Sequence, residues 1–353
     1  TMQLMGFNYR PFKYKEAYRK LPQQLILGSE TASTVSSRGV YKFPVERKSM
    51  AKYPDMQSSS YDVEHCGWSN LPEDDWIHQE DLPYTVGEFI WTGFDYLGEP
   101  TPYYVEWPSH SSYFGAVDLA GLPKDRFYLY RSHWNKEAET LHILPHWNWE
   151  GREGEVTPIF VYTNYPSAEL FINGKSQGKR NKDLSVKLEE KEQEGNPSDL
   201  NRQKRYRLMW MDTKYEPGIV KVVAYDANGK AVAEKEIRTA GKPYALRLST
   251  EYKTELTPNS DTLAFITVEA VDKDGNLCPT VNDLVQFSVK GAGFYKAAAN
   301  GDATCTDPFH LPKMHLFNGK LVMMVQAGEK AGEITIEAKS KTLKGKISVE
   351  VRK

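Results

Sequence analysis

The hydrophobic period of this chain changes once, near residue 141, and that change limits the fold more than any other feature. Before it, short apolar runs alternate with segments whose apolar residues recur at helical spacing. After it, apolar and polar residues alternate with period two, and turn-forming pairs punctuate the alternation. In the first part, residues 2–9 read as a strand. Residues 11–21 read as a helix, with Tyr14, Ala17, Tyr18 and Leu21 on one face and Pro22 as its stop. The run 25–27 is the next strand. Strand, helix, strand is the order of an α/β barrel.

A long irregular segment, 36–68, follows, of the kind that usually carries function in a compact domain. It leads into a second helix, for which Asn70 is the expected cap, Pro72 the first turn and Glu73 the capping-box partner, with Trp76 and Ile77 inward. Residues 86–91 read as another strand, 98–102 as a turn, and the stretch after Pro123 as an amphipathic helix. The last third of a barrel is legible here, without its beginning.

Beyond residue 141 the expected strands are 157–163, 168–172, 206–211, 219–225 and 231–238, with turns at Asn173-Gly174 and Asn228-Gly229. Lys242-Pro243 reads as a linker. A second series follows at 246–249, 263–272, 284–290, 320–326, 332–339 and 345–352. Two all-β segments of roughly 100 residues each suggest two immunoglobulin-like sandwiches. The expected fold is therefore mixed: the C-terminal part of a (β/α)8 barrel in 1–140, then β-sandwiches in 141–242 and 243–353. The charged run 187–205 reads as a solvated extension.

A formal net charge of −2 gives no global field for nucleic acid or an acidic membrane, and neither is an expected partner. Aromatics make up 12% of the chain, with eight Trp and 21 Tyr, which suits stacking on sugar rings and equally suits β cores. Cys66, Cys278 and Cys305 match no metal spacing, and the eight histidines form no paired motif. Asn300-Gly301-Asp302 offers one acid in a short turn, too little for calcium, and reads as a turn. No metal or cofactor is expected. No apolar run approaches the ~18 residues of a membrane helix.

The most informative acid is Glu30. It follows the apolar run Leu25-Ile26-Leu27 and Gly28-Ser29, and it precedes Thr31, Ala32, Ser33 and Thr34, small residues that suit a loop beside a cleft. Most such acids are solvated or paired. In β/α barrels, however, chemistry sits where strands end, and a carboxylate there can serve as a glycosidase nucleophile.

The segments LILGSETAS (25–33), GEFIWTGFDYLGEPTPY (87–103) and FGAVDLAGLPKDRFYLYRSHW (114–134) resemble the C-terminal part of the barrel of glycoside hydrolase family 2, of the β-galactosidase type. LHILPHWNWEG (141–151), FINGKSQG (171–178) and ANGDATCTDPF (299–309) are similar to parts of the β domains that follow it. The resemblance implies a retaining mechanism with two carboxylates about 5 Å apart. It places Glu30 as the nucleophile, Tyr9 as its hydrogen-bonding tyrosine and Trp91 in the sugar subsite. Asn8, Trp68 and Asp95 are expected beside the sugar, with Asp95 alternatively capping its turn, and Glu88 is expected to be structural.

The family's acid/base follows an Asn in an Asn-Glu pair, and this sequence contains no such dipeptide. The acid/base and the family's N-terminal domains are therefore expected upstream. The N-terminal part of the same enzyme becomes the expected partner, and a β-galactoside the expected substrate. A periplasmic or secreted location is expected, and self-association is left open. A competing reading makes the β segments non-catalytic carbohydrate-binding or spacer modules.

Overall fold

The computed structural model describes residues 3–189, 197–250 and 255–353. The middle of the charged segment, 190–196, lies outside the described residues. The N-terminal part contains a parallel three-stranded sheet, with Ile26–Thr31 between Met5–Asn8 and Thr85–Ile90. The helix Tyr14–Lys20 connects the first two strands and buries Tyr14 and Ala17 against Ile26 and Leu82. That is the face the helical spacing marked. The central strand runs on past its apolar run to Thr31, because Gly28 pairs with Phe7 on one side and Glu88 on the other. A side chain at position 28 would not fit: its Cβ would lie 2.7 Å from Thr31 Cγ2 and 3.1 Å from the Tyr14 hydroxyl.

The helix Pro72–Asp81 forms as expected, but Asn70 does not cap it. Leu71 occupies that position, and Asp74 Oδ2 accepts from the Leu71 backbone N–H at 3.0 Å. Asn70 instead donates to Asp75 and to the Leu71 carbonyl. Residues Thr31, Ala32, Ser33 and Thr34 are buried rather than lining open space. Their polarity is absorbed internally: Ser69 Oγ takes the Ser33 N–H at 2.7 Å, and Arg126 donates to the Thr34 carbonyl at 2.6 Å.

From Leu141 onward every sheet is antiparallel. The first β unit sets a three-stranded sheet (Leu208–Trp210, Ile159–Thr163, Leu141–Leu144) against a four-stranded one (Ala231–Arg238, Ile219–Tyr225, Ser167–Ile172, Lys175–Asn181). Ile159 and Val161 share its core with Leu170, Trp210 and Val222. The opposite face of the same strand, Phe160 and Tyr162, packs on Tyr61, Trp76, Leu129 and Tyr130 of the N-terminal part. The strand is consequently buried along its whole length, with no solvent face.

The second β unit pairs two four-stranded sheets. One has the order Ala245–Ser249, Leu263–Val271, Lys320–Ala327, Gly293–Ala299; the other has Lys313–His315, Leu284–Gly291, Gly332–Lys339, Lys344–Val351. Ile266, Val268, Met323, Ile334 and Ile336 fill the space between them. Gly293–Ala299 and Lys313–His315 were not expected from the sequence, because neither shows a sustained period of two.

No helix among the described residues is long and apolar enough to cross a membrane.

Candidate active site

A bulge between Phe7 and Asn8 brings Asn8 opposite Glu30 in the parallel sheet. Tyr9 then leaves the strand with φ 55°, and its backbone N–H donates to the Glu30 carbonyl at 3.0 Å. This turn carries the Tyr9 phenol over the strand end, where it donates to Glu30 Oε2 at 3.0 Å. Burial, with the Glu30 carboxylate beside it, holds the Tyr9 hydroxyl well above the ordinary tyrosine range, so it remains a donor. Glu30 itself is half-buried.

The other expected residues divide into those that gather here and those that do not. Asn8 is exposed, with its Oδ1 accepting from Ser29 Oγ at 2.7 Å. Trp68 is partly exposed, and its carbonyl is held by Arg10 Nη1 at 3.2 Å; the same guanidinium nitrogen donates to the Tyr9 carbonyl at 3.0 Å. Arg10 therefore ties the Trp68 loop to the residue that contacts Glu30. Trp91 is anchored by its backbone N–H to the Thr31 carbonyl at 2.9 Å, one residue past Glu30, and the Trp91–Thr92 peptide is cis. Its indole Nε1 donates to Tyr96 Oη at 3.2 Å, and Tyr96 donates onward to Glu99.

Asp95 is placed differently. It is buried, with Oδ2 2.5 Å from Lys124 Nζ and Oδ1 accepting the Gly115 N–H at 2.7 Å, so it holds the loop after Trp91 together. Arg10 and Tyr96 had not been singled out from the sequence. Arg10 follows Tyr9 directly, but nothing local announces a partner 58 residues away.

Glu88 lies one layer below, on Thr85–Ile90 opposite Gly28, with both carboxylate oxygens shut off from solvent. Burial pushes its pKa up to about 8, and Asp75 nearby is raised for the same reason. A carboxyl raised on folding stabilises the fold fully below its ordinary value of 4.5, and that contribution is lost as pH rises through the folded value of about 8. The chain is therefore expected to lose roughly 2–4 kcal/mol between pH 5 and pH 8. Glu88→Gln, which cannot ionise, should reduce that loss, leaving the part that comes from Asp75. Urea midpoints at the two pH values check this, and an unchanged slope in the variant would contradict it.

Among the described residues no cluster of His, Cys, Asp and Glu is suited to a metal. A cleft of about 840 Å³ opens between the two β units, lined by Arg238, Pro243, Tyr244 and Asp272, and none of the expected site residues lines it.

Residues 246–348 match glycoside hydrolase family 2 C-terminal domain 5, and residues 154–233 match a domain of unknown function, DUF4982. The chain is 38% identical to beta-galactosidase BoGH2A of Bacteroides ovatus, over 99% of this chain and 39% of that protein. It is 29% identical to a beta-glucuronidase of Formosa agariphila, over 64% of this chain and 20% of that protein. The crystal structure of a beta-glycosidase from Bacteroides vulgatus superposes with a TM-score of 0.83 at 27% identity, covering 99% of this chain and 45% of that one. The chain thus spans less than half the length of each of these relatives. It belongs to glycoside hydrolase family 2 and corresponds to that family's C-terminal region.

Proposed function

We propose that these residues form the nucleophile side of a retaining β-glycosidase, and that they work as part of a longer polypeptide. In this reading Glu30 attacks the anomeric carbon and forms a glycosyl-enzyme intermediate. A second carboxylate, supplied outside these 353 residues by an Asn-Glu pair, protonates the leaving group and then activates water. Tyr9 orients the nucleophile, Trp91 and Trp68 present flat faces to the sugar, and Asn8 offers an amide to its hydroxyls. The single observation carrying this reading is the Tyr9–Glu30 hydrogen bond at the end of the central parallel strand.

Residues 1–140 are proposed as part of a (β/α)8 barrel, and 141–242 and 243–353 as immunoglobulin-like sandwiches. Supporting the barrel is a parallel sheet whose outer strand Thr85–Ile90 leaves Val86 and Phe89 exposed, a surface suited to covering by further barrel. The proposed substrate is a terminal β-galactoside, because the galactosidase relative aligns along nearly the whole chain, whereas the glucuronidase covers about two thirds of it. Glucuronide is the second reading, favoured by that same glucuronidase match. The full-length enzyme should hydrolyse p-nitrophenyl β-galactoside with retention, releasing β-galactose first in an NMR time course. Preference for the β-glucuronide would select the second reading, and an inverted product would overturn both.

A further inference from the structure

The loop 299–305 of the second β unit reaches out of its own sheets and into the unit that carries Glu30. Arg38 ion-pairs with buried Asp118 at 2.6 Å and donates from Nη2 to the carbonyls of Asn300 and Phe317, at 2.8 and 3.0 Å. Asn318 Nδ2 returns a bond to the Arg38 carbonyl at 2.7 Å. Gly301 has φ +79°, and a Cβ there would sit 1.9 Å from Asp118 Oδ2, so only glycine permits this approach. Asp302 Oδ1 accepts from Gln57 Nε2 at 2.7 Å, and the Ala303 carbonyl accepts the His110 N–H at 3.0 Å. The Ala303 side chain is buried in one cluster with Cys66, Tyr103, Tyr113 and Phe114, against which Trp91 and Tyr96 pack. Ala120 and Leu122 meet Ala299 and Val322 just behind it.

The receiving side needs such a clamp. Between Ile90 and Asp125 no helix or strand element forms, yet this stretch carries Trp91, Tyr96 and Glu99. Irregular segments of that length hold one conformation only where outside contacts tie them down. The loop 299–305 supplies contacts at His110, at Gln57 and in the cluster under Trp91.

We propose that the loop 299–305 is a positioning element of the sugar site, setting the Trp91–Tyr96 wall through Asp302–Gln57 and Ala303–His110. The second β unit is then part of the catalytic architecture and not a spacer. This rests on the reading of Glu30 and Trp91 given above.

The test uses the full-length enzyme and whichever p-nitrophenyl β-glycoside it turns over best. Asp302→Ala and, separately, Gln57→Ala should each lower kcat/KM on the order of tenfold, mainly by raising KM, because the sugar-stacking wall is displaced while Glu30 is untouched. Melting temperature should move by no more than about 2 °C. Asp302→Asn, which keeps an acceptor for Gln57, should restore most of the loss. The double variant should be no worse than either single one. Stable Asp302→Ala and Gln57→Ala enzymes with kcat/KM within twofold of wild type would overturn the proposal. Glu30→Gln in parallel separates the two layers: wild-type turnover in that variant removes the site itself, whereas its loss alongside a normal Asp302→Ala removes only the role of the loop.

Discussion

Glu30→Gln in the full-length enzyme is expected to lower kcat by on the order of 10⁴-fold while leaving the fold intact. The substitution is close to isosteric. Glutamine keeps an oxygen for the Tyr9 hydroxyl, and the bond from the Tyr9 N–H to the residue 30 carbonyl involves only backbone. Because Glu30 is only half-buried, replacing its charge leaves no fully buried group without a partner. What disappears is the carboxylate that forms the covalent intermediate. Release of p-nitrophenol, with circular dichroism melts alongside, reads both halves of the expectation. A variant with wild-type turnover would contradict the assignment, and a variant that unfolds would show that residue 30 has a structural role this geometry does not predict.

Arg207→Leu is expected to destabilise the chain by about 3–5 kcal/mol. Arg207 and Glu73 are both fully buried and pair across the contact between the first β unit and the helix Pro72–Asp81. The guanidinium also donates to the carbonyls of Tyr61 and Asp62, each at 2.9 Å. Leucine would leave the Glu73 carboxylate with one weaker bond, from Gln203 Nε2 at 3.3 Å, and the Tyr61 carbonyl with only the Tyr162 hydroxyl at 3.3 Å, while the Asp62 carbonyl would lose its guanidinium donor. Arg207→Leu combined with Glu73→Leu should recover a good part of the loss, since the buried charge is then gone as well. Urea denaturation of this chain measures both, and a double variant worse than Arg207→Leu would contradict the account.

The sequence was most readable where structure is set by near neighbours. Ile219–Tyr225 and Ala231–Arg238 form with the bounds their alternation and the Asn228-Gly229 turn suggested. The helix Tyr14–Lys20 buries the face its spacing marked. Reading failed where a competing partner, near in the chain or far along it, decides the outcome. Asn70 looked like a cap, but Asp75 takes its amide and Leu71 takes its place. Thr31, Ala32, Ser33 and Thr34 looked suited to a cleft and are buried, because Ser69 and Arg126 satisfy their backbone groups from far along the chain.

At the candidate site, Glu30 and Tyr9 were singled out through a resemblance spread over long motifs, and the structure adds the 3.0 Å contact between them. Arg10 with Trp68, Asp95 with Lys124, and Gln57 with Asp302 were not legible. Each pairs groups that no local period or spacing connects.

The most direct test of the central claim is trapping of the nucleophile. The full-length enzyme, incubated with an activated 2-deoxy-2-fluoro-β-galactoside, should be inactivated with time and carry one fluorosugar per chain. Peptide mapping by mass spectrometry should find that label on Glu30. Inactivation with the label on any other carboxylate would contradict the account.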